Sequence, residues 1–373
     1  MPKADAPVSP RQRGPALESL RNQKMARSAL DYVRGSPMQF YEWLEKGSAA
    51  IPEGPEVWIC GDCHVGNLGP VANADGRFKV EIRDFDQTVI GNPAHDLIRL
   101  GLSLAAAAVV SDLPGLAIAE ILEAMIAQYE AAFSAASDKP GHLEEPKTIR
   151  KINRRAADAN WTTLAAEDMD GQNFRLPLGK SFWPLLVEER REIERFLRNE
   201  EIQRVVTEGE GRDDDADVRM IDAAYWKKGC SSLGHLRYAV LLQIGYKSDH
   251  RRHCLLDFKE AVRPRAPRAG GMPRDYARRV VTGASHLSPF LGSRMQAVEI
   301  TGKPVFVREL LPQDLKIEIH VLDRKEAARV AGYLSGVVAE AHGGVPLKLP
   351  CAEIVVFTTA RCCGIVDTVG RMK

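Results

Sequence analysis

The chain has little cysteine. Its seven cysteines, at positions 60, 63, 230, 254, 351, 362 and 363 of 373 residues, are too few and too irregular for a disulfide framework, so reduced thiols are expected. An excess of one charge is also lacking. The 51 Lys and Arg against 50 Asp and Glu leave +1, which argues against a general nucleic-acid coat. Long hydrophobic runs are missing too: the best candidate, Leu100 to Val110, is cut by Ser111-Asp112, short of the roughly 18 residues of a membrane helix. The N-terminal MPKADAPVSPRQRGPALESL lacks the apolar core of a secretory signal, and no repeat of about 20 to 50 residues recurs. A cytoplasmic protein without membrane or nucleic-acid partners is the expectation. What remains, 45% apolar and 27% charged residues, is ordinary globular composition, and the length suggests roughly two to three lobes.

Residues 1–16 read as a mobile arm before a helix over about residues 17–46. The β-like runs VWIC (57–60) and RFKVEIRDFD (77–86), separated by GDCHVGNLGP and the turn NADG, read as a hairpin. Asn92-Pro93 opens a helix over 93–111, with Asn as cap and Pro at the first position, and Pro114-Gly115 opens another over 116–136. Residues 147–204 join a basic stretch, TIRKINRRAAD, to a polar helix, WPLLVEERREIERFLRNEE, whose acid–base pairs suit a solvated face. The acidic run within 206–217 marks a linker. From 218 to 320 the pattern turns β-rich, predicting a small antiparallel sheet of about five strands, interrupted by a helix over 274–288 that packs on one face. A last helix runs from 324 to the glycine pair 343–344, and the tail 351–373 has no assignable partner.

Asp62 and Asn67 lie five positions apart in the glycine-flanked loop GDCHVGN. That is the spacing of a kinase catalytic loop, where the Asp orients or deprotonates the attacking hydroxyl and the Asn holds Mg²⁺. Asp84-Phe85-Asp86 follows, offering carboxylates for a metal that neutralises phosphates. Each of these residues alone is equally an ordinary turn residue bonding nearby amides; their order carries the reading. A second group lies in the β-rich region. Gly229-Cys230-Ser231-Ser232-Leu233-Gly234 sits between two strands, and Lys259 lies near the end of a further one, as a phosphate-covering turn and a phosphate-pairing lysine would. Either is otherwise a plain hairpin and a surface lysine.

CGDCHVGNLGP, VEIRDFDQTVIGNPAHDLIRLGLSLAAAA, GCSSLGHLRYAVLL, DFKEAV and VFVREL together resemble the bacterial DUF2252 family, over about residues 25–343. The first two segments are also similar to the aminoglycoside and choline phosphotransferase pattern, GD-x-H-x-GN followed by an IDF-type metal site and a G-(D/N)-P-x-x-DL helix. The resemblance implies an α+β, two-lobed, protein-kinase-like fold in circularly permuted order, because Gly229 and Lys259 follow Asp62 instead of preceding it. The large lobe would comprise 17–205 plus 321–350 and the small lobe 218–320. Asp62 is implied as catalytic base, Asn67 and Asp84 as metal ligands with Asp86 beside them, and Lys259 as the α/β-phosphate partner. Gly229, Ser231, Ser232 and Gly234 would line the phosphate loop, Glu309 to Leu311 would form the adenine hinge, and His64 and Asp96 would support the catalytic loop.

The implied cofactors are ATP and Mg²⁺, with a small-molecule or protein hydroxyl as acceptor. Two departures stand out. The helix PRDYARRVVTGASHLSP has no Glu for Lys259, leaving Asp275, Glu260 or nothing as its partner, and the chain after Ala341-His342 diverges from the family. An inactive, pseudokinase-like binding module is therefore the alternative. A rival class starts from Cys60-x-x-Cys63-His64 as a thiol or zinc site, but no second C-x-x-C or H-x-x-x-H completes it. The basic runs Arg251-Arg252-His253 and RPRAPR (263–268) read as solvated loops, and no G-x-S-x-G supports a serine nucleophile.

Overall fold

Three helices, not one, make up the N-terminal region. They are α1 (Pro10–Met25), α2 (Ala29–Gly35) and α3 (Pro37–Lys46), and the first starts at Pro10, so residues 10–16, expected in a mobile arm, are helical. The continuous helix expected over 17–46 breaks at Ser28, whose hydroxyl caps α2 by accepting from Asp31 N at 3.1 Å, and again at Ser36-Pro37, where proline cannot donate to a preceding turn. The computed structural model describes residues 8–46, 51, 54–73, 77–111, 113, 115–132, 144–158, 175–179, 181–207, 217–230, 233–245, 252–291, 294–310 and 322–343. The expectations for most of the acidic linker, for Ser231, Ser232 and Leu311, and for the tail after 343 lie outside the described residues.

The runs expected to form one hairpin belong to two separate two-stranded sheets. β1 (Val57–Ile59) pairs antiparallel with β4 (Val89–Gly91), while β2 (Leu68–Ala72) pairs with β3 (Phe78–Ile82). Neither β2 nor β4 was expected; β2 hides in Leu-Gly-Pro-Val-Ala, whose Gly69 and Pro70 carry loop chemistry but sit in a buried two-stranded ribbon.

Helix α4 (Ala94–Val110) begins where Asn92 Oδ1 accepts from Ala94 N at 2.9 Å, and it is buried from Ala94 through Ala108. A helix buried on all sides must be small or apolar all round, and its run of alanines answers that. Helices α5 (Gly115–Ala131) and α10 (Arg324–Ala341) pack against each other, and Gly332 lets α10 approach within 3.3 Å, measured from a built Cβ, of Ala124 O. Helix α6 (Lys147–Asp158) turns Ile149, Ile152 and Ala156 inward against β2 and β3.

The β-rich region forms a six-stranded antiparallel sheet in the order β5-β6-β7-β8-β10-β9. Its expected strands are β6 (Val218–Trp226), β7 (Arg237–Ile244), β8 (Arg252–Glu260), β9 (Met295–Ile300) and β10 (Lys303–Leu310). The short edge strand β5 (Phe182–Trp183) was hidden in a stretch that reads as helix; Trp183 pairs with Tyr225 instead. One face carries Leu17 of α1, Ile193 of α7 (Val187–Phe196), and Ile202 and Val206 of α8 (Glu200–Thr207), packed on Val240, Leu242 and Leu256. Each such aliphatic side chain stabilises the fold by about 1.5–3 kcal/mol. Helix α9 (Tyr276–Leu287), capped by Asp275 accepting from Arg278 N at 2.7 Å, packs on β9 and β10 as expected. Among the described residues no helix is long and apolar enough to cross a membrane.

Candidate active site

The loop between β1 and β2 is pinned by a buried carboxylate. Asp96, in the first turn of α4, accepts from Cys60 N at 2.7 Å and Gly61 N at 2.8 Å, and faces His342 Nε2 at 3.2 Å. His342 in turn meets Tyr129 OH at 2.8 Å through Nδ1, so α4, α5 and the end of α10 converge on this loop. Gly61 adopts φ +74°, and a Cβ there would lie 2.2 Å from Gln87 O; only glycine fits. Tyr41 OH donates to Gly61 O at 2.6 Å.

Asp62, thus held, is buried beside Arg99, whose Nε donates to Oδ1 at 2.8 Å and whose Nη2 holds Val33 O. Burial raises the Asp62 carboxyl above its ordinary range, with the Arg99 charge pulling it partly back. Asn67 Nδ2 donates to Asp62 O at 2.9 Å, leaving its amide oxygen for another partner. His64 folds its Nδ1 onto Gly66 N at 3.1 Å, and burial with the nearby Arg99 and Arg34 charges holds this imidazole well below its usual pKa. It acts as a neutral loop cap.

Arg83 N bonds Asn67 O at 2.8 Å, which leads the chain from this loop directly into Asp84 and Asp86. Lys259 of β8 comes to meet them. Its Nζ lies 3.2 Å from both oxygens of Asp84 and 2.5 Å from Asp86 Oδ2. The partner of Lys259 is thus neither Asp275, which caps α9, nor Glu260, which accepts from Leu236 N and Lys303 Nζ at 2.8 Å. The lysine side chain is 2% exposed whereas Asp84 keeps 32% open. Burial works against the charge of Asp84, but Lys259, Arg308 and Arg237 outweigh it and hold the carboxyl below its ordinary range. Burial and the adjacent Asp84 charge push Asp86 up to about 6. Asp86 Oδ1 is buried without a hydrogen-bond partner.

A second ion cluster backs the first. Arg237, beside Lys259 in the β7–β8 register, forks onto Asp257 at 2.7 and 2.6 Å, and Arg308 of β10 adds a contact at 3.4 Å while donating to Arg83 O. From α9, buried Arg279 reaches Thr88 O, Asp86 O at 2.9 Å and Val262 O at 3.0 Å. In place of a glutamate, this helix presents an arginine that grips the backbone of the carboxylate loop.

The glycine turn joins β6 to β7. Gly229 and Gly234 adopt φ +95° and +107°, Gly229 O accepts from Lys24 Nζ at 3.0 Å, and the turn returns three residues before Arg237. Glu309 is buried on β10, three positions beyond Phe306, the register partner of Lys259. Asp62, Asn67, His64, Asp84, Asp86, Asp96 and Lys259 therefore gather at one junction; Gly229 and Gly234 lie in the β6–β7 turn, where Gly229 meets α1, and Glu309 lies on β10 opposite Leu256. Arg99, Arg237, Asp257, Arg279, Arg308, Tyr129 and His342 belong with them and were not foreseen. Only Arg99 had a legible signal, three residues after Asp96 on one helix face.

Cys60 and Cys63 are both fully buried, and Cys60 Sγ donates to Asp84 O at 3.3 Å. The neighbouring Cys63 side chain and burial push the Cys60 thiol well up, the environment of an inert cysteine. Among the described residues no group of three or more His, Cys, Asp or Glu is arranged to hold a metal ion.

Elements and junction together define an α+β protein in which a helical part presents a pinned loop and a carboxylate pair to one end of an antiparallel sheet. The chain belongs to the family described as an uncharacterized protein conserved in bacteria (DUF2252), whose model matches residues 13–348. No curated protein and no solved structure matches it.

Proposed function

We propose that this protein is an ATP- and Mg²⁺-dependent phosphotransferase acting on a hydroxyl acceptor, built on a circularly permuted kinase-like fold of two lobes. The observation that carries the reading is the meeting of Lys259 with Asp84 and Asp86, 175 and 173 positions away in the chain. A kinase needs a glycine turn, a lysine on the third strand and a helix after it, facing a catalytic Asp–Asn loop and a metal carboxylate. Here the turn joins β6 to β7, Lys259 lies on β8, α9 follows, and Asp62, Asn67 and Asp84 stand opposite.

Asp84, Asp86 and the free amide oxygen of Asn67 fit a hard cation that takes one or two carboxylates and completes its shell with phosphate oxygens and water. The orphaned Asp86 Oδ1 supports that fit. Bound there, Mg²⁺ supplies charge neutralisation of phosphate oxygens. With a cation held there, Lys259 would be released to offer its ammonium to the phosphates, as a flexible point charge can. Asp62 orients the acceptor hydroxyl and takes its proton through Oδ2, since Arg99 occupies Oδ1. The raised pKa suits a base, and positioning supplies most of the rate.

ATP titrated into the protein by calorimetry, with and without Mg²⁺, tests the reading. Saturable, Mg²⁺-dependent binding should be lost in Lys259→Ala, and Asp84→Ala should lose the Mg²⁺ dependence; no binding by folded protein overturns the proposal. Asp62→Ala should abolish turnover and leave nucleotide binding nearly intact. Equal affinity with and without Mg²⁺, and no product, would instead select the inactive binding module.

A further inference from the structure

The segment between β8 and α9 carries a charge that the proposed chemistry has not used. Six arginines and one acid, Asp275, lie between Val262 and Arg279. Arg279 is buried and spent on backbone carbonyls, and Asp275 is spent on capping α9. Arg263, Arg265, Arg268, Arg274 and Arg278 are exposed, and none lies within ion-pair distance of a carboxylate among the described residues.

This loop is stitched to the carboxylate loop. Arg265 N donates to Gln87 Oε1 at 2.7 Å, Ala269 N to Ile90 O at 2.9 Å, and Arg279 ties Val262 O to Asp86 O and Thr88 O. Residues 262–269 therefore run alongside 86–90, directly after the proposed metal ligands. Their burial alternates: Pro264 and Ala266 are inside while Arg263 and Arg265 are outside. Prolines at 264 and 267 hold the residues before them extended, so the pattern is built into the backbone. Guanidinium forks, pre-ordered and weakly hydrated, suit planar or tetrahedral oxyanions better than lysines would.

Resting on the phosphotransferase reading, we propose that the acceptor is a small hydroxyl compound that already carries an oxyanion, a phosphate or a carboxylate. Arg263 and Arg265 hold that oxyanion while the hydroxyl is presented to Asp62. The near-neutral chain as a whole favours a small anion held at one loop over a long polyanion, which would need a broader basic surface.

The test uses the full chain saturated with Mg²⁺ and ADP, which leaves only the γ-phosphate position open, and an anion bound there would be unaffected by the arginine substitutions. Inorganic phosphate and acetate are titrated separately by calorimetry, to tell phosphate from carboxylate recognition. At least one should bind saturably and weaken at least tenfold in Arg263→Gln/Arg265→Gln, but stay within twofold in the Lys151→Gln/Arg154→Gln control on α6. Unchanged affinity in the arginine variant, or no anion binding by protein that does bind Mg²⁺-ADP, overturns this inference and leaves the phosphotransferase standing. Failure to bind Mg²⁺-ADP overturns the phosphotransferase and, with it, the acceptor assignment. Binding of a 20-nucleotide RNA tighter than either anion, steeply salt-dependent and lost in the same variant, also overturns it, in favour of a nucleic-acid surface.

Discussion

Asp96 holds three donors with one carboxylate, all within 3.2 Å and fully buried, which makes it the residue on which the geometry of Asp62 depends. An asparagine there would turn an amide N–H₂ towards one of those donors and leave a buried N–H unpaired, at a cost of about 1–3 kcal/mol. Asp96→Asn should therefore lower the urea midpoint and reduce turnover more than nucleotide affinity; an unchanged midpoint would contradict the wiring. Gly61 is the second critical position. Its positive φ and the carbonyl 2.2 Å from a would-be Cβ leave Gly61→Ala no escape but moving backbone, so a loss of more than about 2 kcal/mol is expected in the same assay. Glycine flanking Asp62 and Asn67 was readable from GDCHVGN, but which glycine is obligatory was not, because the clashing atom belongs to Gln87, distant in sequence.

Elements with strong periodicity and clear caps were legible: α4, α9 and α10 fall within a few residues of their expected spans. What escaped was pairing. β1 and β3 each read as a strand, yet each takes a partner, β4 and β2, that looks like a loop, because two-residue periodicity does not specify a mate. The attachment of α1 was equally hidden. Arg13 on α1 meets Glu189 on α7 at 2.5 Å, deep in the structure, and Tyr238 OH joins them at 2.9 Å. Burial would raise the Glu189 carboxyl, but Arg13, the Leu186 N–H and Tyr238 outweigh it and hold the pKa below its ordinary 4.5. A depressed folded value means that this contribution is fully present above the unfolded pKa and is lost as pH falls through the folded one. Unfolding free energy measured from pH 6 downwards should fall as acid is added below about pH 4.5, and Glu189→Gln should flatten that part of the curve. An identical slope in the variant would mean that α1 is held by its apolar contacts alone.

Beside an apolar cluster that takes in Phe306, Met295 and Val280, three cations of the β-rich region meet carbonyls or carboxylates of the helical part. Lys259 meets Asp84 and Asp86, Arg308 meets Arg83 O, and Arg279 meets Asp86 O and Thr88 O, so residues 83–88 receive three cations from 259–308. Sequence spacing could order these residues but could not bring them together, since 175 positions separate Asp84 from Lys259 and only the folded chain closes that distance. The ammonium of Lys259 lies between two carboxylates that would otherwise repel, so it occupies the electrostatic place of a cation. Removing it should expose that repulsion and make an added cation worth more. Without nucleotide, Mg²⁺ should thus raise the thermal midpoint of Lys259→Ala by several degrees more than that of the native protein, and Asp84→Ala should abolish the difference in the double variant. Equal Mg²⁺ responses in the native and Lys259→Ala proteins would show that the two carboxylates do not form a common cation site.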